Sequence, residues 1–359
     1  MKQICFVVKN INIGGGISRV VSYLSNELSK DREVTILSIE KKFTVNKRAY
    51  ELDNNVNVHY LTEEVISYRR EICTLSKQLK IFLKKHRFDS VVVAGMDFVP
   101  LLTLSINYLK KENVTIVAWE HANYKVGKKF GLKWIGRKLA AKYFDYIVVL
   151  TDRDRKFYQM NEKLKCQIKR IYDPYNSAIS KDNYDENSKK IVSCGMLIYQ
   201  KGFDFAIQVA DIVLKNHPDW TWEVWGEGIE RERLEGMIVK HNLQNQFFLK
   251  GYSDNIMDKY SEYAFFVLTS RYEGFGMVIL EALANNLPVI AFDCDAGPEE
   301  IINNNNGYLI ECFDIQGMAT AIEHLIQDKE KRKVLSSRTK SVLDKFLITS
   351  ITEQWKELI

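Results

Sequence analysis

Arg271 to Glu300 reads RYEGFGMVILEALANNLPVIAFDCDAGPEE, and the fold follows from how its first half is taken. Just before it, AFFVLTS (Ala264 to Ser270) is an apolar run of strand length, whereas MVILEALANN (Met277 to Asn286) has helical periodicity. Between them Glu273-Gly274-Phe275-Gly276 makes a turn whose two glycines leave backbone amides open at a helix N-terminus. Such a turn suits an anion, because unpaired N–H groups and the helix dipole point at it. Glu273 would stand at the mouth of the turn. Glu281, eight positions on, would lie two helical turns further along nearly the same face. Two carboxylates beside an anion site suit the hydroxyls of a polar ligand that also carries phosphate; a solvated helix start with a surface glutamate would read the same way.

Working outward, the strand, glycine turn, helix pattern recurs. QICFVVK (Gln3 to Lys9) is a strand, Gly14-Gly15-Gly16 follows, and Val20, Val21, Leu24 and Leu28 recur at helical spacing. That loop could cradle phosphate, although its glycines are not spaced GxGxxG and a plain turn would look alike. Strands are expected at Glu33 to Glu40, Val56 to Leu61, Asp89 to Gly95, Asn113 to His121 and Asp145 to Thr151, with an amphipathic helix over Val65 to Phe82. A second series starts at KIVSCGML (Lys190 to Leu197) and continues with TWEVWGEG (Thr221 to Gly228), whose Gly226 opens a GxG turn. Strands alternating with helices predict an α/β fold of parallel, doubly wound sheets, with ligands at the carboxyl ends of the strands.

A chain of 359 residues is too long for one ordinary core. The polar stretch from Asp173-Pro174 to Asn187 sets the division: 1–172, a linker at 173–188, and 189–344, followed by a terminal segment, 345–359, whose Phe346 to Ile359 reads as a helix. The six cysteines form no CxxC pair and lie mostly in apolar runs, which favours buried thiols in a reducing cytoplasm. The start, Met1-Lys2-Gln3 then ICFVV, reads as a strand rather than a signal peptide, and no apolar run reaches the ~18 residues of a membrane span.

The overall charge of +5 conceals a division. Residues 1–172 hold 32 Lys+Arg against 17 Asp+Glu, and the remainder 19 against 29. A basic half implies an anionic partner (membrane surface, phosphorylated acceptor or nucleic acid), or two parts that attract each other. No RNP, helix-turn-helix or zinc pattern supports nucleic acid. In KVGKKFGLKWIGRKLAAKYF (Lys125 to Phe144), Leu132, Ile135, Leu139 and Tyr143 form a core stripe. Lys128, Lys129, Lys133, Arg137, Lys138 and Lys142, with Phe130 and Trp134, lie on the other faces and suit a membrane interface or ordinary solvation. His121 stands at a strand end, where it could meet a sugar hydroxyl or a phosphate, or serve as a loop histidine. Lys201, just before a helix start, could supply a point charge to an anion. Asp152-x-Asp154 and Asp293-x-Asp295 read as structural rather than as metal ligands.

Together the glycine loop Gly14 to Gly16, Glu120-His121, QKGFD (Gln200 to Asp204), WGEG (Trp225 to Gly228), SRYEGFGMVILEA (Ser270 to Ala282) and GPEEI (Gly297 to Ile301) resemble the retaining glycosyltransferases of family four, over nearly the whole chain. The resemblance implies the GT-B fold, two Rossmann-like domains facing across a cleft with a C-terminal helix crossing back. It implies a nucleotide-sugar donor, of UDP type, held by the C-terminal domain and a glycan acceptor held by the N-terminal one. Glu281 would bind the donor ribose. Glu273 with the amides of Gly274, Phe275 and Gly276 would contact the sugar, and Lys201 the diphosphate. Gly15 and Gly16 would approach the diphosphate, and His121 the transferred sugar. Configuration would be retained through front-face attack, without a metal or other cofactor.

The chain departs from the family at Met196, where arginine is usual; Arg19 or Arg271 would have to compensate. At Asp173-Pro174 the family usually has Asn-Pro. The expectation is a transferase of a hexose or N-acetylhexosamine to a lipid-linked acceptor in surface-polysaccharide synthesis, cytoplasmic and peripheral on the inner face of the membrane. Alternatives are a GDP-mannose-type mannosyltransferase, a sugar-nucleotide epimerase and a non-catalytic GT-B partner protein.

Overall fold

The computed structural model describes residues 1–41, 48–64, 67–176, 184–253 and 255–359. The chain divides into two compact units, Met1–Pro174 with Phe346–Ile359, and Tyr175–Lys345. The first contains β1 (Gln3–Val8), α1 (Gly16–Leu28), β2 (Glu33–Glu40), β3 (Val56–Thr62), α2 (Tyr68–Lys85), β4 (Ser90–Ala94), α3 (Ile106–Lys111), β5 (Thr115–Trp119), α4 (Leu132–Tyr143), β6 (Tyr146–Val149), α5 (Asp152–Asn161) and β7 (Gln167–Arg170). The second contains β8 (Lys190–Cys194), α6 (Phe203–Val213), β9 (Thr221–Trp225), α7 (Arg231–Lys240), β10 (Phe247–Gly251), α8 (Ile256–Lys259), β11 (Phe265–Leu268), α9 (Met277–Ala284), β12 (Val289–Phe292), α10 (Pro298–Ile301), β13 (Gly307–Ile310), α11 (Ile315–Gln327) and α12 (Lys329–Arg338). A last helix, α13 (Ile348–Lys356), belongs to the first unit.

The strand order is β3-β2-β1-β4-β5-β6-β7 in one sheet and β10-β9-β8-β11-β12-β13 in the other, and the paired strands run parallel. Each order reverses direction once, between β1 and β4 and between β8 and β11. In such sheets these reversals open a crevice at the strands' carboxyl ends. The central strands are apolar on both faces because helices cover both; every residue of β4 and β12 is buried.

One expectation about a helix needs correction. The fully buried face of α4 is formed by Gly136, Arg137, Ala140 and Ala141; of the expected stripe, Leu139 and Tyr143 pack partly buried against the core, while Ile135 is exposed. A Cβ on Gly136 would fall 1.9 Å from the Met96 carbonyl oxygen, so the helix lies too close to the chain after β4 for large side chains to turn inward. Arg137 is accordingly buried, not on an outer face. In α2 the expected apolar face does turn inward: Leu75 and Leu79 are buried, Tyr68, Ile72 and Phe82 pack partly buried against the same core, and Leu83 joins them, while Val65 lies outside the described residues.

The return of α13 rests on packing and charge. Trp355 is fully buried and meets the Trp119 ring edge-on at 4.6 Å, Lys356 pairs with Asp31 at 2.9 Å, and Lys2 Nζ donates to the Ile359 carbonyl at 3.0 Å.

Candidate active site

In the second unit the chain leaving β8 supplies Lys201 and the chain leaving β11 supplies Glu273, so the two stand on either side of the strand-order reversal. Lys201 Nζ donates to Glu273 Oε1 at 2.7 Å, and Ser270 Oγ donates to the same oxygen at 2.6 Å. Both charged side chains are largely shielded from solvent, at 14% and 6% relative exposure. A shielded cation and carboxylate hold each other in place, and removing either strands the other at a cost of about 3–5 kcal/mol.

Glycines make this approach possible. A Cβ on Gly195 would sit 3.2 Å from the Lys201 stem, which lies across that residue. A Cβ on Gly226 would come within 1.9 Å of the Gly195 carbonyl oxygen, so the turns after β8 and β9 touch backbone to backbone. Gly195 N–H donates to the Trp225 carbonyl and Leu197 N–H to that of Glu227, fixing the two turns together. Gly297, at φ 108°, lets the GPEE turn press onto the Phe275 carbonyl.

Helix α9 starts at Met277 behind Gly276, which has φ 94°, and no side chain caps its start. Glu273 therefore lies in the turn ahead of the helix, and the expectation that it shares a helix face with Glu281 does not hold. Glu281 lies within α9 and is 4% exposed. Arg271 is likewise committed. Its guanidinium forks onto Asp204 at 2.8 and 2.7 Å, donates to the Tyr199 carbonyl, and lies over the Tyr199 and Phe205 rings. Burial works to raise the Asp204 carboxyl, but the Arg271 fork outweighs it and holds the carboxyl below its usual range. Arg271 thus fastens QKGFD to SRYEGFG. Met196, in the turn after β8, is 62% exposed. Burial pushes the thiol of Cys294, near Glu273 and Lys201, well above its ordinary value.

In the first unit Gly15 precedes α1 and its N–H donates to Tyr50 Oη at 3.3 Å. Side chains added at Gly15 or Gly16 would meet nothing within 4 Å, so this loop is open-faced. His121 follows β5; its ring packs on Trp119 at 4.4 Å, with Nδ1 3.7 Å from Asp173 Oδ1. Its neighbour Glu120 is structural: it accepts from Arg137 Nε at 2.7 Å and Tyr158 Oη at 2.9 Å. Arg137 also donates to the carbonyls of Asn123, Tyr124 and Val126, tying down the loop after His121. Asp154, at the start of α5, accepts from the Tyr124 N–H at 2.9 Å.

Of the expected site residues, Lys201, Gly226, Glu273, Gly274, Phe275, Gly276 and Glu281 belong to the second unit, where Lys201 and Glu273 are in contact, and Gly14, Gly15, Gly16 and His121 belong to the first. Reasoning from sequence missed Ser270, Gly195 and the Arg271–Asp204 clasp. It noted Asp173 only as the start of the linker and as a departure, and nothing in the spacing of His121 and Asp173 indicated that they would meet.

Two parallel sheets, each reversing strand order once, with a terminal helix returned to the first, are the GT-B fold of glycosyltransferases. Residues 176–342, which make up nearly all of the second unit, match the family described as Glycosyl transferases group 1. Over the whole chain the protein is 27% identical to an uncharacterized glycosyltransferase of Haemophilus influenzae, covering 100% of both. It is 25% identical to an undecaprenol-PP-linked-glycan alpha-1,4-N-acetyl-D-galactosaminyltransferase of Campylobacter jejuni, covering 100% of this chain and 98% of that one. Among solved structures, a TarM variant of S. aureus in complex with Fondaparinux, alpha-GlcNAc-glycerol and UDP has a TM-score of 0.80 at 17% identity, covering 100% of this chain and 99% of that one.

Proposed function

We propose that the protein is a retaining glycosyltransferase that moves a hexose or N-acetylhexosamine from a UDP-sugar to a lipid-linked glycan acceptor in bacterial surface-polysaccharide synthesis. The observation that carries this reading is the shielded Lys201–Glu273 pair at the strand-order reversal of the second unit, beside the uncapped start of α9. Support for the donor and acceptor classes comes from the similar proteins: UDP is bound in the TarM complex, and the Campylobacter relative is named for an undecaprenol-PP-linked substrate.

In this reading the donor diphosphate draws Lys201 Nζ away from Glu273 and lies toward the α9 amides of Gly274, Phe275 and Gly276. Glu273, still held by Ser270, turns to a hydroxyl of the sugar, and Glu281 holds the ribose. As the glycosidic bond breaks, charge grows on the leaving diphosphate, and a fixed cation with oriented amides stabilises that charge without needing to reorganise. Lys201 does the work a metal would do in a site built on carboxylates, and the leaving phosphate accepts the acceptor proton on the face it departs from.

A non-catalytic partner is the second reading, favoured by the exposed Met196 in place of arginine. The experiment is UDP release from a panel of UDP- and GDP-sugars, with Glu273→Ala as control. Turnover by wild type well above that control supports the enzyme. Equal rates across the panel would establish the partner reading, and preference for a GDP-sugar would replace the donor. Turnover unaffected by EDTA supports the role given to Lys201.

Peripheral membrane contact belongs to the same proposal. No described helix is long and apolar enough to cross a membrane. Phe130 is 70% exposed, packs edge-on against Trp134 at 5.0 Å, and has Lys129 beside it. An exposed aromatic ringed by lysines suits an anionic interface. Flotation with anionic vesicles, lost on Phe130→Ser and in high salt, is the expected result; no flotation at low salt would remove the membrane part.

A further inference from the structure

The first unit has a strand-order reversal of its own, between β1 and β4. β1 and β4 pair in register, Ile4 with Ser90 through Val7 with Val93. The chain leaving β1 begins with Lys9, and the chain leaving β4 reaches Asp97 after Gly95 and Met96. This repeats the plan of the second unit, where a lysine leaving β8 and a glutamate leaving β11 flank the reversal.

Asp97 is neither an ordinary surface carboxylate nor a sealed one. Its side chain is 38% exposed and that of Lys133, from α4, is 27% exposed, with Nζ and Oδ2 3.8 Å apart. That separation makes a loose ion pair without a hydrogen bond, which leaves hydrogen-bonding capacity on both groups. Lys9 adds a second ammonium near Asp97 and lies 6.0 Å from the Tyr68 ring centroid, while Tyr68 is anchored by donating to the buried Glu40. The buried Glu120–Arg137 pair completes the charged surroundings. Burial raises the Asp97 carboxyl, and Lys133 works against that rise. A partly exposed carboxylate paired loosely with one ammonium group, with a second lysine leaving the neighbouring strand, at the carboxyl ends of parallel strands, matches a ligand in which hydroxyl and phosphate stand close together.

We propose that Asp97, Lys9 and Lys133 form a ligand site of the first unit, in which the carboxylate accepts from a sugar hydroxyl and the two ammonium groups hold the adjoining phosphate of a phosphorylated glycan acceptor. The inference rests on the transferase reading for the word acceptor; the site itself is tested without activity. It requires no covalent step.

The test is a titration of the full-length chain with N-acetylglucosamine 1-phosphate at low salt, followed by calorimetry, with inorganic phosphate and UDP titrated separately. Variants are Asp97→Asn, Lys133→Gln and, as a charge control away from the site, Lys142→Gln; melting temperatures establish that each is folded. Wild type should bind the sugar phosphate. Asp97→Asn should weaken that binding about tenfold, because a hydroxyl loses its charged acceptor, yet leave inorganic phosphate binding intact. Lys133→Gln should weaken both phosphates and flatten their salt dependence, and Lys142→Gln should change neither. The proposal is overturned if wild type does not bind the sugar phosphate, or if Asp97→Asn and Lys133→Gln bind it as wild type does. UDP binding reports on the donor reading separately: its absence would count against the transferase while leaving a positive sugar-phosphate result standing.

Discussion

Lys201 and Glu273 meet across 72 positions of sequence. Lys201→Ala should slow donor turnover about a hundredfold, because a fixed charge worth roughly 2.7–4 kcal/mol is taken from the growing anion. It should also lower the melting temperature, since Glu273 is left shielded without its cation; loss of stability with no loss of rate would give the pair a structural role only. Met196→Arg should raise turnover about tenfold or more by returning a second cation near the diphosphate, and an unchanged rate would mean that position 196 does not face the donor. Asp154 offers a test by pH. Burial, opposed by the Tyr124 N–H, pushes its carboxyl up from 3.8 to about 6. A carboxyl that titrates higher when folded stabilises the fold while protonated, and that contribution is lost as pH rises through the folded value. Asp154→Asn is neutral at every pH, so its melting temperature relative to wild type should climb between about pH 4 and pH 6. A difference that stays flat across that range would contradict the raised value.

The strongly periodic elements were legible in the sequence, and the sparsely patterned ones were not. β1, β2, β4, β5, β6, β8, β9 and β11 stood out as apolar runs bounded by turns. β7 is only QIKR, exposed at alternate positions, and β13 is only GYLI, so neither announces itself. The α4 face was misread because hydrophobicity identifies a core stripe only when the neighbouring layer stands at ordinary distance. Here the neighbour is the Met96 backbone, and the fully buried side chains are the small ones plus Arg137. Gly136→Val should therefore be among the more damaging substitutions in α4, costing at least about 1–3 kcal/mol of overpacking, whereas Ile135→Ala, at a half-exposed position, should cost little. Chemical denaturation of the two variants separates these outcomes, and comparable losses would refute the close approach. The anion turn before α9 was readable from its glycines, but its clasp was not: Arg271, expected to be spare, is spent on Asp204 because β8 and β11 are neighbours in the sheet, and no local spacing reveals that adjacency.

On the scale of the molecule, two sheets of one plan carry opposite charge. The basic first unit offers lysines at its strand-order reversal, and the second unit offers a lysine–glutamate pair at the corresponding place. The last helix completes the first unit late in the sequence, and Trp355 bears on Trp119, which in turn carries the His121 ring. Trp355→Ala should destabilise the first unit by about 3–5 kcal/mol through the cavity left, while UDP binding by the second unit persists. The central claim is that Lys201 and Glu273 serve a nucleotide-sugar donor. Its most direct test is the rate of UDP release from a panel of UDP-sugars by wild type, Lys201→Ala and Glu273→Ala. The account predicts release from at least one donor by wild type, falling about a hundredfold in each variant; wild-type release no faster than that of Glu273→Ala with every donor would contradict it.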